Sequence, residues 1–259
     1  MKRMALAIAQ LATVLEKAAM SAKAVPQVSA KQQLTVEQAY AVQKASIARR
    51  IKRGEALVGV KVGFTSRAKA VQMGVFDLIW GRLTDAMLIA DGATVDMARY
   101  VHPRIEPEIA FLLKKPLAGV VSNAEALSAV EAVAPAMELI DSRYENFKFS
   151  LTDVIADNSS SSGFVVGAWS TPDADLSNLG MVLEFDGRPV QIGSSAAILG
   201  HPLRSLVAAA RLAADAGMTL KPGWIVMAGG ATAAEALRPG VHVTNTVQHL
   251  GSVALTVAA

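Results

Sequence analysis

Residues 101–112, VHPRIEPEIAFL, are the stretch on which the interpretation of this sequence depends. In a β-strand, successive side chains alternate between two faces, so apolar residues such as Ile109 and Phe111 would share one face while Glu106 and Glu108 share the other. Two carboxylates in one patch repel each other, which raises a pKa or requires a cation, and hard divalent ions such as Mg2+ take oxygen ligands. The stretch therefore predicts either a metal-binding edge or an amphipathic strand whose glutamates lie in water.

Composition restricts the class of protein. The chain has 259 residues, of which 52% are hydrophobic, so it can bury a substantial core as one large domain or two small ones. Its formal net charge is +3 and its basic residues are scattered, which argues against a nucleic-acid partner. The absence of cysteine excludes a disulfide framework, a thiolate metal site and a cysteine nucleophile, and it agrees with a cytoplasmic location.

The N-terminus imitates a secretory signal, because Lys2 and Arg3 precede an apolar run. Within that run, Met4, Ile8 and Leu11 recur at helical spacing, which favours an amphipathic helix of a soluble protein. No apolar run reaches the roughly 18 residues that span a bilayer, so no membrane partner is expected.

A second helix is predicted to begin after Thr35, where Gln38 completes a capping box, and to end at Gly54. Beyond it the pattern changes to short strands punctuated by glycine. We therefore divide the chain into an N-terminal helical cap, residues 1–55, and a β-rich domain that carries the candidate site, residues 56–259, together one compact unit. Because regular alternation of strands and helices is absent, the expected fold class is α+β, mostly β, with a rolled, barrel-like sheet.

Two charged residues lie inside predicted apolar strands. Lys61 is in the middle of LVGVKVGFTS, residues 57–66, where a lysine must reach solvent, pair with a carboxylate or lose its proton. A capping box at Ser122 is expected to begin a helix that Pro135 ends, and a short strand at residues 136–140 follows. Glu138, inside that strand, is a third acidic residue where an apolar one is expected.

Two other features concern ligand binding. The polar residues 157–162 lie between two hydrophobic runs and form either a solvated loop or a set of hydrogen-bond donors for a ligand. Gly229 and Gly230 lack the G-x-G-x-x-G spacing, so no dinucleotide site is predicted. The G-x-S-x-G and H-E-x-x-H motifs are missing as well.

Five motifs, in this order and spacing, resemble the fumarylacetoacetate hydrolase superfamily, and within it the branch that holds 4-oxalocrotonate decarboxylases and 2-hydroxypenta-2,4-dienoate hydratases. The motifs are GVKVGFTS (59–66), HPRIEPEIAFLLKKPL (102–117), AMELIDSRYENFKF (136–149), ADNSSS (156–161) and ILGHP (198–202). The likeness covers nearly the whole chain after the first helix. It implies a sheet of the fumarylacetoacetate hydrolase type with an N-terminal helical cap.

The resemblance also implies site residues. A Mg2+ or Mn2+ ion is expected on Glu106, Glu108 and Glu138, without an organic cofactor, and the branch's catalytic lysine falls on Lys61. A lysine near a cation and bound carboxylates can act as an acid, a base or an electrostatic clamp.

The branch's polar loop over the substrate falls on Asn158 and Ser160, which are therefore expected to bind it, with Asp157 as a further candidate. Hydratases of the branch typically carry an aspartate in the segment that here reads GVFDLIWG, where Ile79 takes its position. A water-activating carboxylate is then absent, unless the nearby Asp77 replaces it.

The resemblance favours metal-dependent decarboxylation of 2-oxo-3-hexenedioate (4-oxalocrotonate) to 2-hydroxypenta-2,4-dienoate and CO2, in the meta-cleavage catabolism of aromatic compounds. The alternatives are the dienoate hydratase and, more remotely, a non-enzymatic module that binds 2-oxo acids. The implied partners are a small 2-oxo diacid substrate, further copies of the chain in a homo-oligomer, and a dienoate hydratase.

Overall fold

The computed structural model describes residues 2–65 and 78–259. The α-helices in these residues are α1 (Lys2–Ser21), α2 (Val36–Lys52), α3 (Asn123–Ser128), α4 (Leu151–Ala156) and α5 (Pro202–Asp215). The strands are β1 (Leu57–Gly63), β2 (Ile79–Thr84), β3 (Leu88–Ile89), β4 (Thr94–Val95), β5 (Arg104–Leu113), β6 (Val130–Ile140), β7 (Ser161–Val166), β8 (Gly180–Phe185), β9 (Arg188–Ser194), β10 (Ile225–Met227), β11 (Glu235–Ala236), β12 (His242–Val247) and β13 (Gly251–Val257).

The described strands form two sheets. The larger has eight strands in the order β2-β1-β10-β5-β6-β7-β3, with β11 paired to β5, and the smaller has five in the order β4-β13-β12-β8-β9. The larger sheet curls into a half-barrel whose centre is the long antiparallel pair β5 and β6. The predicted α+β class with a rolled sheet is confirmed.

The curled sheet buries both of its faces, so its strands are apolar on each side. The inner, concave face carries Leu83, Ala110 and Met227, which pack with Ile47 of α2. The outer face packs against α5 and against the five-stranded sheet. Polar residues on the inner face are therefore withdrawn from solvent.

The two N-terminal helices form as the sequence predicts. Thr35 and Gln38 make the reciprocal hydrogen bonds of a capping box at the start of α2. Leu15 of α1 and Val42 of α2 share an apolar cluster with Ile155 of α4. The division into a cap and a second domain stays a prediction. No helix in residues 2–65 and 78–259 is long and apolar enough to cross a membrane.

The predicted end of the third helix at Pro135 is wrong. α3 begins at its capping box but ends at Ser128, and residues from Val130 onward form β6. Pro135 lies inside this strand, opposite Ile109 of β5. The long ladder with β5 and the burial of both faces outweigh the local preference of the sequence for helix.

Side chains, rather than a backbone ladder, close the half-barrel at β2. The amide of Asn158, in the turn before β7, accepts a hydrogen bond from Arg82 N and donates one to Arg82 O, both at 2.9 Å. Ser159 Oγ donates to Trp80 O at 2.7 Å, where Gln43 Nε2 donates as well. These bonds satisfy backbone groups on the outer edge of β2 and hold that edge against the turn.

We expect Asn158→Ala to lower the free energy of unfolding by about 2–4 kcal/mol, because it leaves two buried backbone groups of Arg82 without partners. Urea unfolding measures the change. Asn178→Ala, at an exposed asparagine, is the matched control and should change stability by less than about 0.5 kcal/mol. Equal midpoints for the two variants would contradict this role of Asn158.

Candidate metal centre

Three carboxylates meet on the inner face of the central strand pair. Glu106 and Glu108 are two residues apart on β5, and Glu138 of β6 lies directly opposite Glu106 in the antiparallel register. One carboxylate oxygen from each of the three lies within 4.8 Å of the others. Among residues 2–65 and 78–259 this is the only such group of three metal-binding side chains.

The glutamates are withdrawn from water, so the interpretation of an amphipathic strand with solvated glutamates is wrong. Glu106 is 8% exposed, and Glu108 and Glu138 are 0% exposed. Burial, followed by the charges of Glu138 and Glu106, raises the pKa of Glu108 well above its usual value. Burial also raises the pKa of Glu138, although Lys61 opposes the effect. The three carboxylates repel one another when they are ionised, and a bound cation would offset this repulsion.

Lys61 takes one of the three courses that the sequence leaves open, since it pairs with a carboxylate. Its Nζ donates to Glu138 Oε2 at 3.0 Å, and both side chains are buried. Lys61 reaches the inner face because it lies in register with Met227 and Gly81 on the neighbouring strands. Gly81 has no Cβ, and a Cβ there would lie 3.3 Å from Lys61 Cγ and 2.6 Å from Asn158 O.

Gly229 and Gly230, which show no dinucleotide-binding motif, lie next to the carboxylates. Gly229 N donates to Glu108 Oε2 at 2.8 Å. A Cβ on Gly230 would lie 2.5 Å from Glu106 Oε2, so a side chain at this position would displace that carboxylate. Sequence reasoning missed both roles, and the adjacent glycines after the buried strand β10 were the available signal.

The polar residues 157–162 are not a solvated loop, so that interpretation is wrong. Asn158, Ser159 and Ser160 are buried and all three have positive φ, from 51° to 60°, which is costly for residues other than glycine. The Ser160 hydroxyl has no hydrogen-bond partner in the described part of the chain. Asp157 instead pairs with Arg143, and burial raises the pKa of Asp157 to about 6.

The position that separates the two candidate activities lies beside the lysine. Ile79 Cγ1 and Lys61 Nζ both lie within 4 Å of the point that a Cβ on Gly63 would occupy. Ile79 is buried, so this end of Lys61 has an apolar neighbour. Asp77, the alternative carboxylate, lies outside the described residues.

The three carboxylates suit a hard divalent cation. Glu108 Oε1 and Glu138 Oε1 are buried and have no hydrogen-bond partner among the described residues, a costly state for oxygens that can ligate a metal. An all-oxygen set of carboxylates favours Mg2+ or Mn2+ over the softer metals that prefer nitrogen and sulfur ligands.

Known proteins share this sequence and this fold. Residues 56–258 match the family model for the C-terminal part of fumarylacetoacetate (FAA) hydrolase. A 4-oxalocrotonate decarboxylase from Pseudomonas sp. is 61% identical over 249 residues, which cover 96% of this chain and 97% of that protein. A 2-keto-4-pentenoate hydratase from Paraburkholderia xenovorans is 36% identical over 225 residues, 85% of this chain and 83% of the hydratase.

A solved structure is also similar. It is 4-oxalocrotonate decarboxylase from Pseudomonas putida G7 complexed with magnesium and adipate, with a TM-score of 0.93 and 40% identity. The match covers 96% of this chain and 97% of that one. Fold and sequence thus agree over nearly the full length of both proteins.

We expect added Mg2+ to raise the melting temperature, and to raise it more at about pH 8 than at about pH 5. Because the pKa of Glu108 is raised in the folded state, this group holds its proton more tightly there than in the unfolded chain, so its contribution to stability falls as the pH rises above its ordinary pKa of 4.5. A divalent ion offsets the charge that is exposed by this loss of protons. At roughly 100 times Kd the expected gain is about 5–10 °C.

Thermal unfolding with Mg2+ or with a chelator checks this expectation. Glu108→Gln should remove most of the gain, whereas Glu131→Gln, at an exposed position of the neighbouring strand β6, should retain it. A gain of equal size in the two variants would place the ion elsewhere.

Proposed function

This chain belongs to the fumarylacetoacetate hydrolase family, and from that membership and the buried carboxylates we infer that it catalyses the metal-dependent decarboxylation of 4-oxalocrotonate. It is a carboxy-lyase that acts on a small-molecule substrate. The observation that carries the mechanism is the convergence of Glu106, Glu108 and Glu138 with Lys61 on one dry face.

We propose that the three glutamates hold Mg2+, or Mn2+ in its place, as the only cofactor. The bound ion supplies Lewis acidity that draws electrons toward the 2-oxo end of the substrate. The protein contributes the rigid placement of its ligands, since Gly229 N fixes one oxygen of Glu108 and the β5–β6 register fixes Glu106 against Glu138.

The reaction breaks one carbon–carbon bond. When the distal carboxylate leaves as CO2, the electron pair of the C5–C6 bond passes through the alkene to the 2-oxo oxygen and gives a dienolate. Protonation of that oxygen gives 2-hydroxypenta-2,4-dienoate. We propose that Lys61 Nζ, already a hydrogen-bond donor to Glu138, delivers this proton to the oxygen and orients the substrate.

The polar turn has a narrower proposed role than its sequence suggests. Ser160 is buried and its hydroxyl has no hydrogen-bond partner in residues 2–65 and 78–259, and we propose that this hydroxyl binds the substrate. Both polar atoms of the Asn158 amide are already bonded to Arg82, so Asn158 would act by holding the turn in place. Asp157 is held by Arg143, and its role in the site, like that of Asp77, stays a prediction.

Hydration is the second candidate, because a hydratase is also a relative of this chain. The apolar Ile79 beside Lys61 favours decarboxylation, since the position offers no carboxylate to activate water. A homo-oligomer, a complex with a dienoate hydratase and a cytoplasmic location are proposals that rest on the resemblance and on the absence of cysteine. The hydratase would consume the product directly.

We expect the purified protein with Mg2+ to release CO2 from 4-oxalocrotonate at least about 100 times faster than it consumes 2-hydroxypenta-2,4-dienoate, a preference of roughly 3 kcal/mol. Coupled detection of CO2 and the ultraviolet absorbance of the dienoate measure the two rates. Excess chelator should abolish CO2 release, and Mg2+ should restore it. Faster consumption of the dienoate would identify a hydratase instead.

We expect Lys61→Met to lower kcat by roughly 100- to 10,000-fold, because it removes the group that handles the proton. Mg2+ binding, measured by calorimetry, should not weaken, since the substitution removes a positive charge next to Glu138. Lys114→Met, at an exposed lysine 3.9 Å from Glu131, is the control and should keep full activity. Loss of Mg2+ binding in Lys61→Met would show that the lysine supports the metal ligands only.

A further inference from the structure

Arg104 extends the row of charged side chains on β5. It is two residues from Glu106 and four from Glu108, so the alternation of the strand places all three on the inner face. Its Cα is about 6.8 Å along the strand from that of Glu106, given the rise of an antiparallel strand. It pairs with Ile140 of β6 and Ala236 of β11, which places it at the start of β5.

The charge of Arg104 is not used within the described part of the protein. Arg104 is half-buried, has no ion pair or hydrogen bond there, and makes one contact of note: its guanidinium lies 4.4 Å from the centre of the Phe147 ring. By contrast, the half-buried Arg50 pairs with Glu55 and the buried Arg143 pairs with Asp157. Stacking uses the flat face of a guanidinium and leaves its N–H edge available for an oxyanion.

His102 lies next to the same aromatic ring as Arg104. His102 makes an edge-to-face contact with Phe147, with ring centres 6.2 Å apart, and its buried Nε2 has no hydrogen-bond partner in the described residues. The backbone N–H of His102 is bound by Asp141, which fixes the residue. The region at the start of β5 therefore offers a cation and a ring nitrogen, neither of which has a polar partner among the described residues.

We propose that Arg104, with His102 beside it, binds the distal carboxylate of the substrate and makes the site selective for 2-oxo diacids. This inference rests on the proposed function, in which the 2-oxo acid end is at the ion held by the glutamates. The far end is an anion that these glutamates repel, so it requires a positive group on the same face. A six-carbon diacid spans roughly 6 Å between its terminal carbons, judged from C–C bonds of about 1.5 Å, which matches the offset of Arg104 from Glu106.

The chemistry predicts which kinetic constant the contact affects. The distal carboxylate is charged in the ground state and loses its charge as CO2 departs, so a guanidinium contact stabilises bound substrate at least as well as the transition state. Loss of Arg104 should therefore raise KM while kcat changes by less than about threefold. Arg104 is thus a specificity-determining residue rather than a source of rate acceleration.

Calorimetry with two matched ligands tests the assignment on the Mg2+-loaded protein. 2-Oxoadipate carries a distal carboxylate, and 2-oxohexanoate has the same number of carbons without it. Arg104→Gln should weaken the binding of 2-oxoadipate roughly 10- to 100-fold and change the affinity for 2-oxohexanoate by less than about twofold. Arg188→Gln, at an exposed arginine of β9, should change neither ligand.

Arg104→Lys covers the case in which the glutamine variant does not fold. Lysine keeps the positive charge but lacks the planar guanidinium, so the substitution should weaken the binding of 2-oxoadipate by a smaller factor and leave the affinity for 2-oxohexanoate unchanged. Equal weakening of both ligands, or of neither, overturns the assignment. Binding is measured without turnover, so the two proposals can fail separately. If the protein releases no CO2 but the Arg104 variants lose their preference for 2-oxoadipate, the proposed function is refuted and the role of Arg104 is supported. If the protein releases CO2 but the variants keep that preference, the role of Arg104 is refuted and the proposed function is supported.

Discussion

The rest of this structure depends on one constraint, which is that three carboxylates are buried close together on the inner face of the larger sheet. Buried like charges are costly, so the fold must supply compensation at short range. Lys61 supplies one charge at 3.0 Å from Glu138, and Gly229 supplies a backbone N–H to Glu108. Oxygens of Glu108 and Glu138 that have no hydrogen-bond partner in the described residues are available to a divalent ion.

The curl of the sheet makes this concentration of charge feasible. Lys61 and Glu138 are 77 residues apart in sequence and lie on strands separated by two others, yet their side chains meet across the concave face. A flat sheet would hold them too far apart. The side-chain bonds of Asn158 to β2 keep the edge of the sheet against the turn that precedes β7. Packing of the N-terminal helices on the same side excludes water from the interior.

The inner face carries opposite charges at two places that suit the two ends of the proposed substrate. The glutamates lie between apolar residues such as Ala110 and Met227 on one side and Arg104 with Phe147 on the other. A 2-oxo diacid presents a chelating end and a terminal anion. An ion on the carboxylates and a cation one strand repeat away would recognise the two ends separately, while the buried Ile79 keeps the neighbourhood of Lys61 apolar.

Sequence alone determined the alternation on β5, the capping boxes, the third acidic residue at Glu138 and, through five motifs, the family, because these depend on local periodicity and on residue type. It could not determine the extent of α3, since the ladder with β5 draws residues before Pro135 into β6. Nor could it decide whether the glutamates and residues 157–162 are exposed to water, or that a side chain at Gly230 would displace the carboxylate of Glu106. Burial and close approach are properties of pairs of distant segments, so only the tertiary structure decided them.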